Sequence, residues 1–273
     1  MMLTDTFARP EETALVEEFL GNGYIIIDVE DRDALDALRH EVAQAACRHM
    51  ERPLPGDDGA FLDNLHEILP VDKLNALRLG LYRELNDRPW FRPTYFKLAR
   101  SRLEALVGNE LAMQNRINFS IQMPNDKTSL LDIHADVFSG ETPYQVVEWL
   151  PLGDVFGTKG MFILPRPKSE QVIGRMNEFG AGGMKALFDA VRKDLIWLKV
   201  PYGKLLIFCP NFLHGNVVNE ERTTRWSLNC RFTGLFTPYV SAEKGLGSFY
   251  LPITPRPVTR LGMAYRQPGG FNE

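Results

Sequence analysis

Three residues in the second half of the chain have the types and the order of a metal site. His134 stands two places before Asp136 in "LLDIHADVFSG", and His214 follows 78 residues later in "FCPNFLHGNVVN". On an extended stretch, positions i and i+2 project to one face. A histidine–x–aspartate pair arises by chance in roughly one chain of this composition in three or four, so the pair acquires meaning only with a third donor. Two imidazoles and one carboxylate leave half of an octahedron open, which suits non-haem Fe(II) and its exchangeable ligands. A structural zinc site takes four protein ligands and keeps no open position. The cysteines Cys47, Cys209 and Cys230 are scattered and supply no zinc-like spacing.

A second element lies 11 residues beyond His214, where Arg225 is followed two places on by Ser227. A guanidinium fork beside a hydroxyl is a receptor for a carboxylate held away from a metal. A 2-oxo acid chelating iron, with its far carboxylate on that pair, has the pose of 2-oxoglutarate. The order HxD, His, Arg-x-Ser therefore predicts Fe(II) and 2-oxoglutarate as cofactors, with dioxygen as co-substrate.

Strands must carry these side chains, and the pattern supplies them. From 111 to 234 the chain reads as short strand-like runs: "LAMQNRINFSIQMP", "TPYQVVEWLPL", "GMFILP", "LIWLKV", "GKLLIFCP" and "RTTRWSLNCRF". A helical insertion is expected near 168–194. Residues 1–110 read as mainly helical, with one strand in "YIIIDV", and residues 235–273 as a Pro- and Gly-rich arm. Helices followed by strands predict an α+β fold, a single domain over 1–273 in which N-terminal helices buttress a β-sandwich or barrel. In "RTTRWSLNCRF", Trp226, Leu228, Cys230 and Phe232 share one face and Arg225, Ser227, Asn229 and Arg231 the other. A half-exposed edge strand would look like this. So would a strand whose polar face lines a barrel interior, and "QNRINFSIQ" repeats the pattern.

The chain has 273 residues, 44% hydrophobic and 24% charged, with a formal net charge of -4. That balance offers no basic face for nucleic acid. No apolar run reaches membrane-spanning length. The three scattered cysteines and an acidic N-terminal stretch point to a reducing, cytoplasmic setting. His40, His49 and His66 fall in helical segments and read as solvated or helix-packing residues.

At these motifs the chain resembles the Fe(II)/2-oxoglutarate-dependent oxygenases of the phytanoyl-CoA-hydroxylase-like branch. The segment "HADVFSGETPYQVVEWLPLGDVFGTKGMFILP" is similar to oxygenases found sporadically in bacterial carbohydrate-biosynthesis clusters. The resemblance implies a double-stranded β-helix, a cupin-like jelly roll, with His134, Asp136 and His214 as catalytic iron ligands. It implies Arg225 on the distal carboxylate of 2-oxoglutarate, assisted by Ser227, with Asn216 able to reach the same group. By likeness to a Q-x-R-x-N strand of related hydroxylases, it places Asn118 by the cofactor and Gln114 and Arg116 towards substrate. Plain hydrogen bonding across the sheet is the alternative for these residues. Glu148 or Trp149, Lys159, and Arg231 are further wall residues that could meet substrate. Since halogenating relatives replace the carboxylate ligand with a small residue, Asp136 argues against halogenation. Hydroxylation is expected first, with desaturation, epimerisation and ring closure open.

The implied substrate is a small polar molecule: a sugar, an aminosugar or a nucleotide-linked sugar. An amino acid or other secondary metabolite is the alternative, as is a metal-binding cupin without 2-oxoglutarate chemistry. The C-terminal arm would either lid the site or bridge a homodimer.

Overall fold

The computed structural model describes residues 9–269. Helices dominate up to residue 106, led by Pro10–Asn22, Arg32–His49, Val71–Asn86, Phe91–Lys97 and Arg100–Leu106. The first ends at Gly23, whose φ of 82° turns the chain back so that its N–H reaches Phe19 O at 2.7 Å. The second starts at Asp31, whose carboxylate caps the Ala34 N–H at 2.9 Å.

The strands are β1 (Tyr24–Asp28), β2 (Leu111–Gln114), β3 (Asn118–Gln122), β4 (Gln145–Pro151), β5 (Met161–Ile163), β6 (Ile196–Trp197), β7 (Lys204–Phe208), β8 (His214–Asn216), β9 (Arg225–Gly234) and β10 (Tyr250–Pro252). They form two antiparallel sheets. The major sheet runs β1-β7-β4-β9-β2-β10, with β3 also on β9, and the minor sheet runs β6-β5-β8. This is the expected double-stranded β-helix with helices buttressing the major sheet. The predicted insertion appears as helices Arg166–Ile173, Met176–Phe179 and Gly183–Val191.

Alternation along β9 decides the layering. Its apolar residues Trp226, Leu228, Cys230 and Phe232 join Val146, Leu150 and Ile207 against helix residues Leu38, Val42, Leu81, Leu85, Phe91 and Tyr95. Each such side chain contributes about 1.5–3 kcal/mol on burial. A smaller cluster including Val147, Trp149, Ile163 and Leu206 closes one end between the sheets. The insertion helices cover the outside of the minor sheet through Val172, Leu187 and Val191, packed on Phe162 and Leu213. The polar face of β9 is thereby turned into the barrel rather than to solvent.

Two strand expectations fail. The stretch 111–123 is not continuous: Met113 and Asn118 lie five positions apart, while their partners Phe232 and Asn229 lie three apart. The surplus bulges out at 115–117. A helix residue secures the bulge: Asn86 accepts from the Ile117 N–H at 2.7 Å and donates to Ile117 O at 2.9 Å. Nor is the HxD stretch a strand. His134 makes a single antiparallel bridge to His214, and Asp136 already opens a 3-10 turn, Asp136–Ser139.

The C-terminal arm enters the major sheet as β10, pairing with β2, and then forms the helix Pro257–Ala264. Among the described residues no helix is long and apolar enough to cross a membrane.

Candidate metal and cofactor site

His134 and His214 are neighbours because their backbones are. Each donates its N–H to the other's carbonyl at 2.9 Å, which places the imidazole centroids 4.4 Å apart. Gly215 permits the approach, since a Cβ there would stand 2.8 Å from Leu131 O and from the Phe162 ring. The Nδ1 of His134 lies 2.7 Å from Asp132 O, and that of His214 lies 2.8 Å from Phe212 O. A carbonyl only accepts, so both Nδ1 atoms carry the proton and both Nε2 lone pairs are left free.

Those lone pairs converge on one carboxylate oxygen. Asp136 Oδ1 lies 3.4 Å from His134 Nε2 and 3.6 Å from His214 Nε2. All three donor atoms fall within 4.8 Å of one another, and no other such group occurs among the described residues. Cis donors on an octahedral ion with bonds of about 2.1 Å sit about 3 Å apart, so the spacing fits one ion with small adjustment. The 3-10 turn is what aims Asp136, and its N–H is tied to Pro210 O at 2.8 Å.

The other carboxylate oxygen is already engaged. Arg231 places Nε and Nη2 at 3.1 and 2.6 Å from Asp136 Oδ2. Its Nη1 donates to Gln114 Oε1 at 3.2 Å. Oδ1 alone is thus presented to the histidines. Burial works against the charge of Asp136, but His134 and Arg231 overcome it and hold the carboxyl well below its usual range. Burial, reinforced by His134, lowers His214 to about 4, so it is a neutral ligand at neutral pH. Burial would lower His134 too, but the Asp136 carboxylate beside it prevails and raises it.

A cavity of about 570 Å³ opens beside these residues. His134, Asp136, His214, Arg225, Asn118 and Asn216 all line it. His134 is 32% exposed at the opening, whereas His214 is 7% exposed. Arg225 is buried. Its Nη2 donates to Ser120 Oγ at 2.9 Å and its Nη1 to Lys159 O at 3.4 Å, while Nε has no partner. Burial draws this guanidinium down to about 10, which still leaves it charged at neutral pH. A buried cation without a counter-ion costs several kcal/mol unless an anion joins it. The donor set therefore fits a carboxylate at Arg225 and a divalent ion at the triad.

The remaining predicted residues separate. Ser227 is buried with a partnerless hydroxyl, directly across from Ser120, which itself lines the cavity. Asn216 spends its amide on backbone, accepting from Leu131 N at 2.7 Å and donating to Ser129 O at 3.3 Å. It fastens the HxD segment as well as lining the wall. Asn118 donates to Asn229 Oδ1 at 3.1 Å across the strands.

Three expectations, for Gln114, Arg116 and Lys159, are corrected, and one open choice is resolved. Gln114 is behind the triad, holding Arg231, and is absent from the cavity wall. The bulge throws Arg116 outward, where it lies 3.3 Å from Asp87 and over the Tyr82 ring. Of the alternating pair, Trp149 faces the cavity, while Glu148 is buried on the opposite, helix-facing side. Lys159 is buried against Thr223 and Asp63, away from the cavity.

Ser120, Asn229, Arg78 and the rim Thr128–Leu131 were not singled out as site residues in the sequence. Only the polar alternation of β3 and β9 pointed towards the first two. Arg78 sits on a helix with no motif of its own. Arg231 was noticed, but as an anion receptor rather than as the partner of Asp136.

The fold has counterparts among solved structures. A non-heme monooxygenase, the ThoJ-Ni complex, superposes with a TM-score of 0.55 at 14% identity, over 90% of this chain and 85% of that one. EctD from S. alaskensis in its apoform gives 0.53 at 14% identity, over 90% and 83%. SnoK, a non-heme alpha ketoglutarate dependent carbocyclase from nogalamycin biosynthesis, gives 0.51 at 14%, over 91% and 97%. No family model matches the chain, and the search of curated proteins finds no match. At such identities the likeness is one of fold.

The fold is a double-stranded β-helix, shared with these structures. Within it His134, Asp136 and His214 form a 2-His-1-carboxylate facial triad, the donor set of Fe(II)/2-oxoglutarate enzymes.

Proposed function

We propose that the chain is a single-domain Fe(II)/2-oxoglutarate-dependent dioxygenase that hydroxylates a small polar substrate, a sugar, aminosugar or nucleotide-linked sugar. The observation that carries this reading is Arg225, a buried guanidinium without a counter-ion, in the same cavity as the facial triad. When bound, iron and 2-oxoglutarate supply the oxidising power, with dioxygen consumed and succinate and carbon dioxide released.

The protein's own residues do the positioning. His134 and His214 present Nε2 because backbone carbonyls hold their Nδ1 protons. Arg231 keeps Asp136 to one coordinating oxygen. Arg225, with Ser120 beside it, would take the distal carboxylate, with Ser227, across from Ser120, and Asn118, on the cavity wall, assisting. Trp149, Val147 and Phe208 give the cavity an apolar side that excludes water from the reacting centre. The sugar class rests on the likeness of the 134–165 segment to oxygenases of carbohydrate clusters. The retained Asp136 favours hydroxylation over halogenation, and the free cysteines favour a reducing, cytoplasmic compartment.

The test is an anaerobic titration with Fe(II) and then 2-oxoglutarate, read by the weak visible charge-transfer band of the chelate. Saturation at one equivalent is expected. Iron binding without the band would leave a metal-binding cupin as the better reading.

A further inference from the structure

The cavity carries more positive charge than iron and 2-oxoglutarate require. Arg78, Arg225 and Arg231 all line it, and among the described residues Asp136 is the one acid in its wall. That acid is already paired with Arg231. Fe(II) and the 2-oxoglutarate dianion cancel each other, so the excess persists in the loaded site. Arg225 would face the distal carboxylate of the cofactor, which leaves Arg78 without an assigned anion.

Arg78 lies on the helix Val71–Asn86, half-buried, with its side chain on the cavity wall. Its Nη2 donates to Asn75 Oδ1 at 2.6 Å, a neutral partner one turn back. Arg88, just past the end of that helix, behaves differently and is clamped between Glu41 and Glu84. The facing rim cannot take over the role of donor. Thr128 Oγ1 and Ser129 Oγ donate to the two oxygens of Asp126 at 2.7 and 2.8 Å, and Ser139 Oγ donates to Asp136 O. Their hydroxyl protons are spent inside the loop, so towards a ligand the rim offers acceptors and Arg78 offers the charged donors.

We propose that the substrate carries an anionic group, a phosphate or a carboxylate, which Arg78 receives beside the iron cavity. Resting on the oxygenase reading above, this narrows the substrate to an acidic or phosphorylated member of the polar class. A neutral sugar would leave the guanidinium unanswered in a partly desolvated wall, whereas a phosphate or carboxylate engages its fork in two parallel hydrogen bonds.

The test uses anaerobic protein loaded with Fe(II) and 2-oxoglutarate, whose paramagnetic iron broadens the resonances of anything bound nearby. The probes are glucose 1-phosphate followed by 31P, 13C-labelled glucuronate, and 13C-labelled glucose as the neutral control. Saturable broadening of at least one anion is expected, with little for glucose, and whichever anion responds identifies the group. Arg78→Gln should weaken that response roughly 10- to 100-fold, and Arg78→Lys should restore part of it. The charge-transfer band should form in all three proteins, which shows that they fold and load. Equal broadening in wild type and Arg78→Gln, glucose matching the anions, or no response to either anion would overturn the assignment of Arg78 while the band keeps the oxygenase reading intact. Absence of the band in wild type would instead bring down the oxygenase reading.

Discussion

Each face of the major sheet buries an acidic or basic side chain with no counter-ion among the described residues, Glu148 on one and Arg225 on the other, and the two fare differently. Glu148 on β4 points to the helices, where Tyr95 donates to its backbone carbonyl but both carboxylate oxygens lack partners. Burial, with Glu30 adding to it, pushes this carboxyl well above its ordinary range, so it is a neutral acid in a packed core. Arg225 on β9 points to the cavity and remains a cation. The difference is one of space and of intrinsic basicity. A carboxyl can shed its charge for a few kcal/mol, whereas a guanidinium holds its proton even when buried and must find an anion. A cavity lets that anion arrive.

If this contrast is right, substitution should separate the two sites cleanly. The largest effect is expected at Arg225. Arg225→Met should lower 2-oxoglutarate affinity by roughly 2–5 kcal/mol, some 30- to 5,000-fold, while iron binding survives. The same variant should unfold at a higher temperature than the wild type when both lack ligand, because it removes an uncompensated charge. Calorimetry with and without 2-oxoglutarate measures both halves. A ligand-free Arg225→Met that is less stable than wild type would break the comparison.

Arg231 is expected to come next. Arg231→Ala frees Asp136 Oδ2 and should weaken Fe(II) binding roughly 10- to 100-fold, with partial recovery in Arg231→Lys. Metal titration followed by tryptophan fluorescence would measure it.

Glu148→Met should stabilise the fold by roughly 1–3 kcal/mol at neutral pH and leave 2-oxoglutarate binding unaltered. The sign with pH is definite. Because the folded carboxyl is raised above its unfolded value, the folded state keeps a proton that the unfolded chain loses above about pH 4.3. The contribution of Glu148 should therefore fall as pH rises beyond that point, so wild-type stability should drop progressively relative to Glu148→Met. Denaturant midpoints from pH 4 to 8 give the test; parallel curves would mean that Glu148 is charged after all.

The smallest effect belongs to Arg116. Its partner is the exposed Asp87, and Arg116→Gln should change stability by no more than about 0.5 kcal/mol and leave cofactor binding untouched.

Much of the site was legible because its residues obey local periodicities. The order of His134, Asp136, His214 and Arg225 named the chemistry, and alternation along β9 correctly put Arg225, Asn229 and Arg231 on one polar face. Alternation failed where a helix intervened: Asn86 satisfies the backbone of the 115–117 bulge, and the bulge goes with Arg116 turned out and Gln114 behind the triad. Glu148 and Trp149 show the same limit, since a period of two says that they part company without saying which one goes in.

By itself, then, the sequence determined which donors exist, their order along the chain, and the alternation of helices and strands that builds an α+β jelly roll. Tertiary structure alone decided which face became the interior, that Arg231 holds Asp136, that Arg225 has no counter-ion, and that Arg78 comes to the cavity from a helix more than fifty residues upstream of the triad. The reason is physical. Periodicity and capping act between residues a few places apart, whereas charge pairing and burial depend on neighbours that only packing brings together.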